Sequence, residues 1–276
     1  MIKKETTERS DNNNWVKNKL LANNFKIIDF EGYTVKNNKV TGLFDRMVFS
    51  EIDFNNLSIK DIENIIRGQE PNLSSKILFA KSLDVAYRYV FYSYDPEILH
   101  VYRFNDNLLE FKISYNNFCD FINDTKRMRD LVISSQLQED RMPEIDKIFR
   151  NRCQYPWMGN LDGIFLSNDN KPKALVEFQT TIKTPVKYHC NNTWFTPKNG
   201  RKGDEQRWRV FNILAKQSNL PLVIIVWSPK EINGDIKYKI VEDVIYSNDT
   251  HNREPGLIYS SKDVIDYNEL CNRLSI

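Results

Sequence analysis

Two acids and an amide in the second half of the chain have the types and spacing for phosphoryl chemistry. Asp162 lies in Asn160-Leu161-Asp162-Gly163-Ile164-Phe165, and Glu177 and Gln179 lie in Leu175-Val176-Glu177-Phe178-Gln179. Strand side chains alternate between faces, so Glu177 and Gln179 point one way while Val176 and Phe178 point the other. A tight hairpin between the two segments sets the start of the first strand beside the end of the second, and Asp162 then adjoins Glu177 and Gln179. Two converging carboxylates form a hard-oxygen site suited to Mg²⁺. Phosphodiester hydrolysis needs a water made nucleophilic near neutral pH and relief of the charge growing on the phosphate and leaving oxygen, and one or two Mg²⁺ ions do both. Asp162 and Glu177 are the expected metal-holding acids and the main-chain carbonyl of Phe178 a further ligand. Gln179 would orient the water or touch the scissile phosphate. Because Gln is neither a cation nor a general base, Lys183, four residues on, is the candidate to supply positive charge from the loop.

The elements around these residues suit that placement. Leu161 to Ser167 and Ala174 to Thr180 read as strands joined by a turn at Asn168-Asp169-Asn170. A loop with Pro185, Pro197, Gly200 and Gly203 follows, then a helix from Glu205 to Gln217 capped by Asp204, with Trp208, Phe211, Leu214 and Ala215 on its apolar face. Leu220 to Trp227 is a continuous apolar run, as expected of a strand covered on both faces. Upstream, Pro143 fits the first position of a helix running to about Arg150. From Lys183 to Arg209 seven Lys or Arg face two acids, with Tyr188, Trp194, Phe195 and Trp208 among them. Basic side chains contact phosphates and aromatics stack on bases. Lys187, Trp194, Lys198, Arg201, Lys202 and Arg207 are therefore the candidate DNA contacts, although Glu205, Arg207 and Arg209 also suit a plain solvent-facing stripe.

The remainder of the chain sets bounds. Its 276 residues are 41% hydrophobic and 12% aromatic, enough for a buried core, and the net charge of +2 by itself names no partner. The polar opening to Asn14 reads as an arm with no secretory signal, and no run is long enough to cross a bilayer, so a cytoplasmic protein is expected. Four scattered cysteines without a CxxC pair suggest reduced thiols, and His189 beside Cys190 is too little for a zinc site. There is no Gly-rich phosphate loop, no GxSxG and no HExxH, which argues against a P-loop NTPase, a common α/β-hydrolase and a zincin. In the first half, strands are expected at Phe25–Phe30, Tyr33–Val35 and Val40–Phe49 around an Asn37-Asn38 turn, then a helix from Ile59 to Arg67 capped by Ser58. A hairpin of Val85–Tyr94 and Ile98–Phe104 follows, extended by Leu108–Ile113. Asn116 to Ser134 suits a helix, as does Ser261 to Leu274 at the far end. No repeat of solenoid length is visible. A boundary between Asn105 and Lys126 is expected, giving an N-terminal α+β region (1–120) with a possible recognition role and a catalytic region (121–276).

Taken together, Arg129 to Pro229 resembles the PD-(D/E)xK nuclease superfamily, which includes many restriction endonucleases. The resemblance rests on the helix before the hairpin, Asp162, the fifteen-residue step to Glu177, the x-Gln pair, the following helix and the apolar strand. It implies a restriction-endonuclease-like mixed β-sheet flanked by helices, of α/β or α+β class. It also implies Mg²⁺-dependent cleavage of double-stranded DNA (Mn²⁺ substituting) by a homodimer in which each site cuts one strand. An acid on the preceding helix often joins the metal site in this family, which nominates Glu144, with Glu139 second. Two departures stand out: the usual Lys is Gln179, and the first strand is either very short, near Cys153–Trp157, or supplied elsewhere. The rival reading is a catalytically inactive DNA-binding module of the same fold.

Overall fold

A computed structural model of the chain describes residues 1–5, 8–22, 25–50, 52, 54, 56–105, 108–132, 142–195, 202–230, 232, 234–247 and 256–275. In chain order its elements are β1 (Ile2–Lys3), α1 (Glu8–Leu21), β2 (Lys26–Lys36), β3 (Lys39–Phe49), α2 (Ile59–Gln69), α3 (Leu73–Ser82), β4 (Tyr87–Tyr94), β5 (Glu97–Asn105), β6 (Leu108–Tyr115), α4 (Phe118–Lys126), α5 (Glu144–Asn151), β7 (Gly159–Leu166), β8 (Pro172–Thr180), β9 (Asn192–Phe195), α6 (Lys202–Ser218), β10 (Leu222–Trp227), β11 (Lys237–Ser247), β12 (Gly256–Val264) and α7 (Tyr267–Leu274). This is a mixed α+β architecture. Among the described residues, no helix is long and apolar enough to cross a membrane. Contacts divide the chain into two units, but not at the single cut expected between Asn105 and Lys126. Unit 1 holds Met1–Glu8, Phe30–Val132 and, of the later described residues, 142–160; unit 2 holds Arg9–Asp29 and Leu161–Ile276. A boundary read along the sequence cannot anticipate this, because α1 and the first residues of β2 belong with the C-terminal elements and α5 with the N-terminal ones.

In unit 1 the strand order is β6-β5-β4-β3-β2, with β1 on β3. β3 and β4 are parallel and the other pairs antiparallel. The β2–β3 turn forms where expected: Asn37 and Asn38 have φ of 53° and 56°, as a two-residue type I′ turn requires, and Asn tolerates that conformation. Ser58 caps α2 reciprocally with Asp61, each side chain bonded to the other's backbone N–H. No apolar periodicity signals α3, because its buried side includes Ser75 and Lys76. The helix expected from Asn116 to Ser134 is confined to α4. One face of the sheet, with Phe44, Val90, Tyr92, Leu99 and Val101, packs on α4, α5 and Trp157. This packing brings the Cα atoms of Cys119 and Cys153 to 5.1 Å, and the two form a disulfide where reduced thiols were expected. Their 34-residue separation left no sign of it in the sequence.

In unit 2 the order is β7-β8-β10-β11-β12-β9, with β8 and β10 parallel. Every residue of β10 is buried, as its unbroken apolar run requires. On one face Val176, Phe178, Val223, Ile225 and Trp227 pack with Val16 and Leu20 of α1 and Leu270 and Leu274 of α7. The opposite face receives α6 through Trp208, Phe211 and Leu214. Cys153–Trp157, one place where a short strand was expected, is turn and coil, and the strand beside β7 is β2. Gly163 marks its approach: a Cβ there would lie 3.0 Å from Ile27 Cγ2 and 3.7 Å from the Ile28 carbonyl. The helix expected from Ser261 begins only at Tyr267, since Ser261–Val264 pair with β11 and the chain turns before Asp266 caps α7.

The two units follow one plan. Each has an antiparallel hairpin (β2–β3, β7–β8), helix or helices, a strand parallel to the hairpin's second strand (β4, β10), two antiparallel strands (β5–β6, β11–β12) and a closing helix (α4, α7). Both parallel ladders hold six pairs, Leu43–Val48 on Tyr87–Tyr92 and Leu175–Thr180 on Leu222–Trp227. Each begins with a Leu N–H, from Leu43 or Leu175, donating to the carbonyl before the parallel strand, Ala86 or Pro221. Each closing helix starts three residues after its last strand and is capped by an Asx side chain, Asn117 or Asp266.

Candidate functional site

The β7–β8 register aligns Gly163 with Val176, so continuing it places Asp162 opposite Glu177 on the α6-facing side. The ladder opens at that step, where the Asp162 side chain takes a backbone bond: Phe178 N–H donates to Asp162 Oδ2 at 3.0 Å. In an extended strand the N–H and C=O of one residue point to the same edge. The Phe178 carbonyl therefore faces the β7 side, where Asp162 lies. Asp162 and Glu177 are 3% and 2% exposed, a degree of burial that requires each carboxylate to find a partner. That partner is Arg207 of α6, whose Nη2 donates to Glu177 Oε2 at 2.6 Å and to Asp162 Oδ2 at 3.4 Å. The guanidinium also lies over Phe211, 5.5 Å from the ring centre.

Gln179 is partly buried on the same strand face as Glu177, and Tyr259 of β12 donates its hydroxyl to Gln179 Oε1 at 3.4 Å. Tyr259 stacks on Trp208 with ring centres 4.1 Å apart, which fixes the α6 wall of the site. Two strands beyond Glu177, the pairings Glu177–Ile224 and Ile224–Lys239 place Lys239 on the same face, about 9.6 Å away at two strand spacings. Lys239 is fully buried and bonds His189 Nδ1 at 2.9 Å and the Cys190 carbonyl at 2.7 Å. Burial lowers its pKa to about 8. Burial, then the Lys239 charge, lowers His189 to about 4, so the imidazole is neutral near pH 7 and Nδ1 accepts from the ammonium. Lys237 Nζ holds the same loop through the Lys187 and His189 carbonyls at 3.2 and 3.1 Å.

The structure thus joins Asp162, Glu177, Phe178 and Arg207 in one cluster, with Gln179 beside it. Lys183 is exposed on the loop after β8, and Lys187 is exposed with its Nζ 4.8 Å from the Tyr188 ring centre. Glu144 is on α5, in unit 1, where it pairs with Lys147 at 3.0 Å. Trp194 lies on β9, in register with Ile258, and Lys202 opens α6. Lys198, Arg201 and Glu139 are outside the described residues. Arg207, for which a phosphate contact and a solvent-facing stripe were both expected, turns inward onto the acid pair, as the i, i+4, i+7 spacing of Arg207, Phe211 and Leu214 on one helix stripe allows. Tyr259 and Lys239 left no local signal. Among the described residues no group of three or more His, Cys, Asp or Glu gathers, so the cluster offers two acids and a main-chain carbonyl. Comparison with family models, curated proteins and solved structures finds no match to the chain.

Proposed function

We propose that the chain is a divalent-metal-dependent endodeoxyribonuclease that hydrolyses phosphodiester bonds of double-stranded DNA, using Mg²⁺ with Mn²⁺ as a substitute. The observation that carries this reading is the meeting of two buried carboxylate oxygens, from Asp162 and Glu177, on one cationic nitrogen. That nitrogen marks a position where the fold holds positive charge, and the donors around it, two carboxylates and the Phe178 carbonyl edge, are hard oxygens of the kind Mg²⁺ takes. The order α1, start of β2, β7, β8, α6, β10 in unit 2 supports a restriction-endonuclease-like core, with its first helix and strand drawn from the N-terminal segment. When bound, Mg²⁺ lowers the pKa of a coordinated water and stabilises charge on the phosphate. Asp162 and Glu177 would hold the ion, the Phe178 N–H keeps Asp162 oriented, and Gln179, bonded by the Tyr259 hydroxyl, would offer an amide to the water or the phosphate without taking a proton.

Asp162→Asn and Glu177→Gln test the reading. Each is expected to lower Mg²⁺-dependent cleavage of mixed DNA substrates by about 10³-fold or more. Cleavage that persists in both variants rejects the site. A second reading, a DNA-binding module without catalysis, is favoured by the neutral Gln179 and by the Arg207 guanidinium already neutralising the acids. It calls for DNA binding that is equal in EDTA and in Mg²⁺, with no cleavage in either. The homodimer expectation comes from the resemblance alone and is checked by sedimentation with and without DNA.

A further inference from the structure

Glu177 is the third residue of its six-pair ladder, and so is Asp45 in unit 1. Asp45 is also met by a helix-borne base: Lys76 of α3 lies 2.8 Å from Asp45 Oδ2 and 3.0 Å from Glu70 Oε2. The plan shared by the units therefore brings a cation from the overlying helix to the same ladder position twice. The settings differ. The Lys76 side chain is 1% exposed and enclosed, with Tyr87 also donating to Asp45 at 2.6 Å. The Arg207 side chain is 20% exposed and presents a five-donor fork, with Nη2 in contact with both acids.

Resting on the nuclease reading above, we infer that Arg207 is the phosphate-binding cation of the unit 2 site, supplying the charge that Gln179 lacks. Without a divalent ion, it holds the acid pair itself. With the ion on Asp162 and Glu177, the guanidinium turns its donors to a non-bridging oxygen of the scissile phosphate, a geometry that Arg matches with two parallel bonds and Lys with a point charge. Lys76, sealed among Asp45, Glu70 and Tyr87, has no such second position. The same residue in unit 2 is thus both competitor of the metal and partner of the substrate.

The two roles predict opposite effects of one substitution. Mn²⁺ binding to the DNA-free protein, followed by electron paramagnetic resonance, is expected to tighten about tenfold in Arg207→Gln, because the competing cation is gone. DNA cleavage at saturating Mn²⁺ is expected to fall about 10²-fold. Arg207→Lys is expected to fall between wild type and Arg207→Gln on both measures, and it carries the test alone if the Gln variant does not fold. An Arg207 that only held the acid pair would also tighten Mn²⁺ on removal, but it would leave cleavage at saturating Mn²⁺ near wild type, so the fall in cleavage is what marks the phosphate role. Unchanged Mn²⁺ affinity, or full cleavage by both variants, overturns the inference while leaving the nuclease reading intact. A wild-type protein that neither binds Mn²⁺ nor cleaves, or whose Mn²⁺ binding survives Asp162→Asn, overturns the reading and this inference with it.

Discussion

Asp45 in unit 1 and Glu177 in unit 2 hold the same place on the same kind of ladder, beneath a helix that reaches down with a base. The Asp45 carboxylate itself is closed off. It is 0% exposed and takes Lys76, the Tyr87 hydroxyl and the Glu31 N–H at 3.2 Å. Burial, with the Asp45 charge second, raises the Tyr87 pKa well above that of an ordinary tyrosine and keeps its hydroxyl a donor. The next residues of that row, Tyr89 and Tyr102, are large and fully buried. Around Glu177 the corresponding row is Ile224 and Lys239, the neighbouring strand contributes a second acid, and the basic partner keeps a fifth of its side chain in solvent. Lys76 and Asp45 are sealed from solvent, whereas Asp162 and Glu177 share one base that keeps contact with solvent and so can exchange partners. One backbone plan thus yields a core contact in one copy and a candidate site in the other, and the difference lies in the side chains.

The sharpest way to break this comparison is to remove the base in each unit. Lys76→Met leaves Asp45 buried without its cation and is expected to cost about 3–5 kcal/mol in urea unfolding, with much of the loss recovered in Lys76→Met/Asp45→Leu. Arg207→Gln is expected to cost only about 1–2 kcal/mol, since Asp162 keeps the Phe178 N–H and an amide still donates. Millimolar Mg²⁺ should restore Arg207→Gln and leave Lys76→Met unchanged. Equal losses, or rescue of both by Mg²⁺, would erase the distinction.

A smaller effect sharpens the description of unit 2. The pKa of His189 in the folded protein is about 4, below the ordinary histidine value. Between those two values the unfolded chain binds the extra proton, so the His189 contribution falls as pH drops from 7 to 5. Because the side chain is only half-buried, solvent screening holds the change to about 1 kcal/mol. His189→Gln should therefore lose less stability than wild type over that interval in paired thermal melts. An identical pH slope would mean that the ring is solvated and the loop is not held by Lys239. In unit 1 a tyrosine, Tyr102, stands at the register position that Lys239 holds in unit 2.

Much of the local structure was legible in the residues. Asn37-Asn38, the Ser58 cap and the unbroken run of β10 carry signals that act within a few positions, where capping, turn conformation and burial are decided. That one hairpin brings Asp162 near Glu177 was legible in the short turn, but their direct opposition rests on the register shift between Phe165 and Leu166, without which Asp162 would face Val176. Lys76 was not: a buried lysine breaks the apolar stripe that would have announced α3. The shared plan of the units was also hidden, because equivalent ladder residues, Leu43-Phe44-Asp45 and Leu175-Val176-Glu177, agree in polarity rather than identity.

By itself the sequence determined the hairpins, the capped start of α2 and the fully buried strand, all properties of neighbouring residues and of backbone period, whereas α6 opens at Lys202 with Asp204 inside it rather than capping it. Only the tertiary structure decided that residues 9–29 complete the C-terminal unit, that Cys119 meets Cys153, and that Arg207 closes on the acid pair while Lys76 closes on Asp45. Those outcomes depend on which helix packs on which sheet face, and that is settled by the summed burial of many apolar side chains distant in sequence.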